Sequence, residues 1–262
     1  LGMRDMDFEQ TIDSAAFLET YSKTESLVRK YEENNGVSSY SKTLDGISKA
    51  TYSSFYIRLG SYFAALNSGL DAIKLLKEAK RMDNANTEAN LFLGLYDYSG
   101  AELRKKFWWG LFWYPGNKKE GIEKLAECGN SAFITGTAAL ISLSEIYVKE
   151  NQPEKAWPIL ESLHEKFPNS RFVLWGKAKY FESVEKFSDA ALMYEKLALE
   201  YAKLPDGSYN YTQTSLSHAQ NLVKSGMNEK AMLVCENLLK EKSVKNNRSL
   251  QRETKKIMES IK

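Results

Sequence analysis

The sequence predicts an all-α fold, a solenoid of about five stacked helix pairs with an extra helix at each end. Two observations carry this. Small residues recur twelve apart, Gly60 with Ala72, Ser144 with Ala156, Ala178 with Ala190 and Ala219 with Ala231, and each pair is embedded in two apolar stretches at helical spacing. A longer period is superimposed, since Gly60 and Gly94 are 34 residues apart and so are Ala156 and Ala190. Two antiparallel helices joined by a tight turn cross at close range, so each needs a small residue at the crossing. One pair cannot bury its apolar face alone, and its neighbours must stack on it.

Composition narrows the function. The 262 residues are 43% hydrophobic and 27% charged, which is the balance of a soluble globular protein. The 36 basic and 34 acidic residues are intermixed and leave a net charge of +2. No field exists to hold a polyphosphate, and nucleic acid is not expected as a partner. No window of about 20 apolar residues is present to form a membrane-spanning helix. The chain opens Leu1-Gly2-Met3, a start that reads as trimmed, so an extracytoplasmic location (periplasmic or lipoprotein-anchored) is expected ahead of a cytoplasmic one. Oligomeric state is not encoded in any of these features.

Taken in order, residues 6–33 carry Phe8, Ile12, Ala15, Ala16, Tyr21, Leu27, Val28 and Tyr31 at helical spacing and close with Asn34-Asn35-Gly36. Residues 37–50, rich in Ser, Thr and Gly, read as a connection, so 1–50 is expected to be a helix and linker packed on the repeats. Repeats fill 51–247, and a polar, lysine-rich helix at 248–262 suits the end of the stack.

This pattern resembles the tetratricopeptide repeat (TPR) family. The clearest unit is 137–170, with Leu140, Leu143, Ser144, Tyr147, Ala156, Leu160, Leu163 and Pro168 at the motif positions. Residues 171–204 follow with Leu174, Ala178, Phe181, Ala190, Tyr194 and Leu197. Residues 53–86 match through Tyr56, Leu59, Gly60, Phe63, Ala72, Leu76 and Ala79, and 212–245 match more loosely. The resemblance implies a right-handed superhelix and is nearly silent about chemistry, because its motif residues are packing residues.

Two departures stand out. Pro205 to Tyr211 lengthens one turn, so Ala190 and Ala231 are 41 residues apart. In the repeat beginning near Thr87, Gly94 is matched by Gly121 only 27 residues on, so about 15 extra residues enter at about 99–117. Ala101 to Lys106 prolong the first helix and Pro115-Gly116-Asn117 make a turn before the second. Between them Phe107-Trp-Trp-Gly-Leu-Phe-Trp-Tyr-Pro115 holds six aromatic rings. Such rings carry on the order of 1,200 Å² of apolar surface, and something must cover it. A similar Gly- and Pro-rich insertion occurs in a subset of bacterial envelope and organelle-surface TPR proteins.

Catalytic and metal-binding patterns are not evident, and neither a cofactor nor an enzymatic activity is expected. His164 and His218 lie in different repeats without Cys, Asp or Glu at ligand spacing. Cys128 and Cys235 fall in helices of separate repeats and are expected to be free, buried thiols.

In TPR proteins the first helix of each repeat lines a concave surface, and its fifth motif position commonly faces the ligand. The resemblance places Ile57, Leu91, Ile141, Trp175 and Leu216 there, all apolar, with Ser61, Leu95, Glu145, Lys179 and Gln220 four residues later. The Lys and Asn clamp for a terminal carboxylate is missing. The expected function is therefore a non-catalytic scaffold binding a protein or peptide through an apolar or amphipathic segment. Its expected contacts are Leu91, Leu95, Tyr98, Ile141, Glu145, Trp175, Lys179, Leu216 and Gln220, with Trp108, Trp109, Phe112 and Trp113 beside them. Two other coverings stay open: the groove is filled from within by helix 6–33 or by the aromatic rings, or the rings meet a membrane surface, flanked by Arg104-Lys105-Lys106 and Lys118-Lys119.

Overall fold

A computed structural model describes residues 14–107, 113, 115–204 and 208–261. Among the described residues the regular elements are thirteen helices, and the chain divides into two compact units, 1–143 and 144–262. The first holds α1 (Ser14–Asn35), α2 (Ser39–Arg58), α3 (Tyr62–Met82), α4 (Asn90–Lys106) and α5 (Lys118–Ser131). The boundary falls inside α6 (Gly136–Lys149). The second continues with α7 (Pro153–Lys166), α8 (Arg171–Ser183), α9 (Phe187–Ala202), α10 (Ser208–Lys224), α11 (Asn228–Lys240), α12 (Lys242–Lys245) and α13 (Arg248–Glu259).

Four turns that reverse the chain within a helix pair are built alike. Gly60, Asn151, Glu185 and Gly226 all take positive φ, between 57° and 78°. The amide after each returns to a carbonyl five residues back, as Ser61 to Tyr56 at 3.0 Å, Gln152 to Tyr147 at 2.8 Å, Lys186 to Phe181 at 2.9 Å and Met227 to Leu222 at 2.9 Å. This is the hydrogen-bond pattern that satisfies the last carbonyls of a helix while turning the chain back on itself.

These turns set the true register of the repeat. Seven residues before the left-handed residue stand Ser53, Ser144, Ala178 and Ala219, and five after it stand Ala65, Ala156, Ala190 and Ala231. The three alanine-containing pairs of the second unit lie where expected and are buried at the crossings. In the first unit the expectation is corrected: the pair is Ser53 with Ala65, whose carbonyl accepts from Ser53 Oγ at 2.6 Å, and Gly60 is the turn residue. Ile57, taken as a groove position, sits in the last turn of α2 and is exposed.

The expected connection 37–50 is also corrected: from Ser39 onward it is the first part of α2, with Ser38 as its cap. Its Ser, Thr and Gly content serves the helix. Ser38 and Ser41 form a reciprocal cap, and Thr43 and Thr51 bond back to the carbonyls of Ser39 and Ile47. At Gly46 a Cβ would stand 2.7 Å from Leu76 Cγ, so only glycine lets α2 lie this close to α3. The helix expected over 6–33 is present from Ser14 as α1 and ends at Asn35 before Gly36, while residues 6–13, with Phe8 and Ile12, lie outside the described residues. Phe17 of α1 packs on Phe55 with ring centroids 4.3 Å apart.

The crossing of α4 and α5 is closer still. A Cβ on Gly94 would stand 2.8 Å from the Gly121 carbonyl, and one on Gly121 would stand 2.7 Å from that of Gly94. The expected extension of α4 to Lys106 is present, and Asn117 caps α5 by accepting from Lys119 and Glu120 amides. Arg104 Nη2 donates to the Gly116 carbonyl at 3.1 Å and Lys118 pairs with Glu102 at 2.6 Å, which ties the two ends of the insertion together.

In the second unit Leu174, Ala178, Tyr194, Leu197 and Tyr201 form one buried cluster, and Leu216, Cys235, Leu238 and Val244 a second that α13 closes with Leu250 and Ile257. Both cysteines are free and buried, and burial pushes the Cys235 thiol up to about 11.

Candidate functional site

The sequence-predicted contacts separate into buried and open residues. Leu216 is 1% exposed inside the α10–α13 cluster, and Leu91 and Tyr98 are buried where α4 packs. These three belong to the core, because each is packed by neighbouring helices on the side expected to be open. Ile141 and Leu95 are half-buried, and Glu145, Lys179, Gln220 and Trp113 are exposed. Trp108, Trp109 and Phe112 lie outside the described residues.

The second unit brings several of these groups together along α8. Arg171, Trp175, Lys179 and Glu182 recur at i, i+4, i+8 and i+11, so they share one face of that helix. Each is held from behind. The Trp175 indole Nε1 donates to the Tyr201 hydroxyl at 3.1 Å, its ring meets that of Tyr194 edge-on at 5.4 Å, and the Arg171 guanidinium lies 5.3 Å over the Tyr201 ring. Lys179 Nζ is 5.7 Å over the Tyr194 ring and donates to Glu182 Oε2 at 2.9 Å. Asn221 of α10 donates to the other Glu182 oxygen at 2.9 Å and stands next to exposed Gln220.

Electrostatics follow from this contact set. Burial alone would raise Glu182, but Asn221 and Lys179 outweigh it and hold the carboxyl below its ordinary pKa. Burial would lower Lys179, and its contacts with Tyr194 and Glu182 raise it instead, so both groups stay charged near neutral pH. Burial pushes Tyr194 up to about 12. Glu145 is exposed as a residue, yet the protein around its carboxyl desolvates that group and raises its pKa.

The supporting residues Tyr194, Tyr201, Glu182 and Asn221 were not among the sequence-predicted contacts. A signal for three of them exists: Trp175 and Glu182 are seven apart, as are Tyr194 and Tyr201, so two stripes on successive helices face each other. A second surface was legible only through Ile57 and Leu95, two of the expected groove residues. In the first unit a groove of about 450 Å³ runs between α2, α3 and α4, lined by Ile57, Tyr62, Leu66 and Leu70 on one side and Leu95 and Tyr96 on the other. Among the described residues no cluster of His, Cys, Asp or Glu is arranged to hold a metal ion, and no helix is long and apolar enough to cross a membrane.

No protein-family model matches the chain, and no curated protein does. Solved structures do match. The APC/C hetero-tetramer Cut9–Hcn1 superposes with a TM-score of 0.57 at 11% identity over 90% of this chain, which spans 39% of the length of that one. YrrB, described as a TPR protein with an unusual peptide-binding site, gives 0.53 at 15% identity over 87% of this chain and 97% of its own. The C-terminal part of a TPR repeat-containing protein from Cytophaga hutchinsonii gives 0.52 at 16% identity, covering 92% and 97%. The chain therefore has the all-α helical-repeat fold of TPR proteins.

Proposed function

We propose that the protein is a non-catalytic scaffold that takes an amphipathic segment of a partner protein along the α8 and α10 face. The observation that carries this is the backing of the α8 strip: Trp175, Lys179 and Glu182 are each fixed by a second-layer partner and still reach the surface. Side chains held in this way lose little rotamer freedom when a ligand arrives, which is what pre-organised binding requires. The indole N–H is already used, so Trp175 offers its ring as an apolar anchor. Lys179, Glu182 and Gln220 around it would lose water beneath a wholly apolar segment. An amphipathic one, with an apolar anchor and polar neighbours, satisfies both.

The likeness to YrrB supports a peptide as the ligand class. Selection of a random displayed-peptide library on the purified protein tests the reading. Enriched peptides are expected to place an apolar residue among polar ones and to compete with one another. A library that yields no peptide, or peptides displaced by none of the others, would count against a single defined site.

A further inference from the structure

The end of the first unit carries apolar surface that the α8 strip does not use. The α2–α3 turn and the start of α3 expose Leu59 at 44%, Tyr62 at 70%, Phe63 at 86% and Leu66 at 55%. Ile57, Tyr62 and Leu66 line the same groove as Leu95, Tyr96 and Ser99 of α4, so the C-terminal half of α4 lies beside this turn. The seven residues after Ser99, up to Lys106, carry α4 about 10 Å further in that direction. There the chain exposes Phe107 and, at 65%, Trp113.

Along the last turn of α4 the exposed charge is basic. Lys105 and Lys106 are exposed, and the Lys106 ammonium lies 5.5 Å over the Phe107 ring. Glu102 is engaged by Lys118 at 2.6 Å, while on α5 the exposed Lys119 faces Glu123 at 3.9 Å and Glu120 is exposed. Aromatic and aliphatic side chains at a turn, with lysines around them, match the boundary between acyl chains and anionic headgroups. We propose that this end of the first unit docks on an anionic lipid surface, Tyr62, Phe63 and Leu66 entering the acyl boundary while Lys105 and Lys106 meet the headgroups.

The site shares no residue with the α8 strip, so either can fail alone. The full chain is sedimented with vesicles of phosphatidylcholine plus phosphatidylserine, and with phosphatidylcholine alone, at low salt. Binding is expected to the anionic vesicles, to weaken as salt rises, and to fall at least about tenfold in the Tyr62→Ser/Phe63→Ser protein and in the Lys105→Glu/Lys106→Glu protein. Helical circular dichroism is expected to be unchanged, since all four side chains are exposed, and Trp175→Ala is expected to bind as wild type. Three results would overturn the proposal: no binding to anionic vesicles at low salt, equal binding by both double variants, or a dimer in sedimentation velocity that the Phe63→Ser change dissociates. The last would assign the patch to a second copy of the chain.

Discussion

The indole Nε1 of Trp175 and the hydroxyl of Tyr201 meet at 3.1 Å, joining α8 to α9 across a buried cluster. The bond fixes the angle at which the indole ring faces outward. Tyr201→Phe removes the acceptor and leaves the N–H in a half-buried place, so it is expected to cost about 1 kcal/mol of stability. It should also weaken a selected peptide by several-fold while Trp175 is still present. Urea unfolding and a peptide titration on the same protein separate the two effects.

The shared turn geometry predicts opposite signs at two positions. Glu185 is held at φ 59°, where a side chain costs about 1–2 kcal/mol, so Glu185→Gly is expected to raise stability by up to about 1 kcal/mol after the extra freedom glycine gives the unfolded chain. Gly226 is held at φ 78° with open space around it, so Gly226→Ala is expected to lower stability by about 1 kcal/mol through backbone strain alone. Thermal melts of the two variants read both signs.

Glu88 predicts a pH dependence. Its carboxylate accepts from the amides of Phe133, Ile134 and Thr135 at 2.7–2.8 Å and from Thr135 Oγ1 at 2.8 Å, pinning the α5–α6 loop. Burial alone would raise its pKa, but these donors outweigh it and hold it below the ordinary value. A depressed folded pKa contributes stability that is fully present above the unfolded value of about 4.3 and is lost as pH falls through the folded one. Glu88→Gln is therefore expected to be less stable than wild type by about 1–2 kcal/mol near pH 7, and the gap is expected to close as pH falls below the ordinary carboxylate range and through the depressed folded pKa. Equal urea midpoints at the higher pH would contradict the latch.

At the α4–α5 crossing, Gly94→Ala places a methyl 2.8 Å from the Gly121 carbonyl. The helices must separate, at a cost of about 1–3 kcal/mol or more. Gly36→Ala, with nothing within 4 Å, is expected to lose only what its φ of 79° costs. Chemical denaturation of the two proteins compares crowding with strain.

Several of these features were legible before the structure. The 34-residue step from Ala156 to Ala190 and the twelve-residue pairs of the second unit located α7 to α11, because small residues at helix crossings leave a direct mark on the sequence. The first repeat was misread by seven residues. Seven is nearly two helical turns, so an apolar stripe slid by that amount still looks like itself, and Leu59-Gly60-x-x-Phe63 copies the motif. Only the left-handed backbone at Gly60 separates turn from crossing, and no residue pattern shows φ. The Ser/Thr-rich start of α2 was misread because capping and back-bonding residues have loop composition. At the candidate site Trp175, Lys179 and Gln220 were legible as helix positions, whereas the backing by Tyr194, Tyr201 and Asn221 depends on how neighbouring helices face one another.

The central claim is that the α8 strip binds an amphipathic segment through the Trp175 ring. The most direct test is the affinity of one library-selected peptide for wild type and for Trp175→Ala, measured by calorimetry with circular dichroism as the fold control. The account predicts at least about a tenfold loss of affinity with helicity unchanged, and most of the affinity kept in Trp175→Phe. A peptide that binds Trp175→Ala as tightly as wild type would contradict it and would move the binding surface off α8.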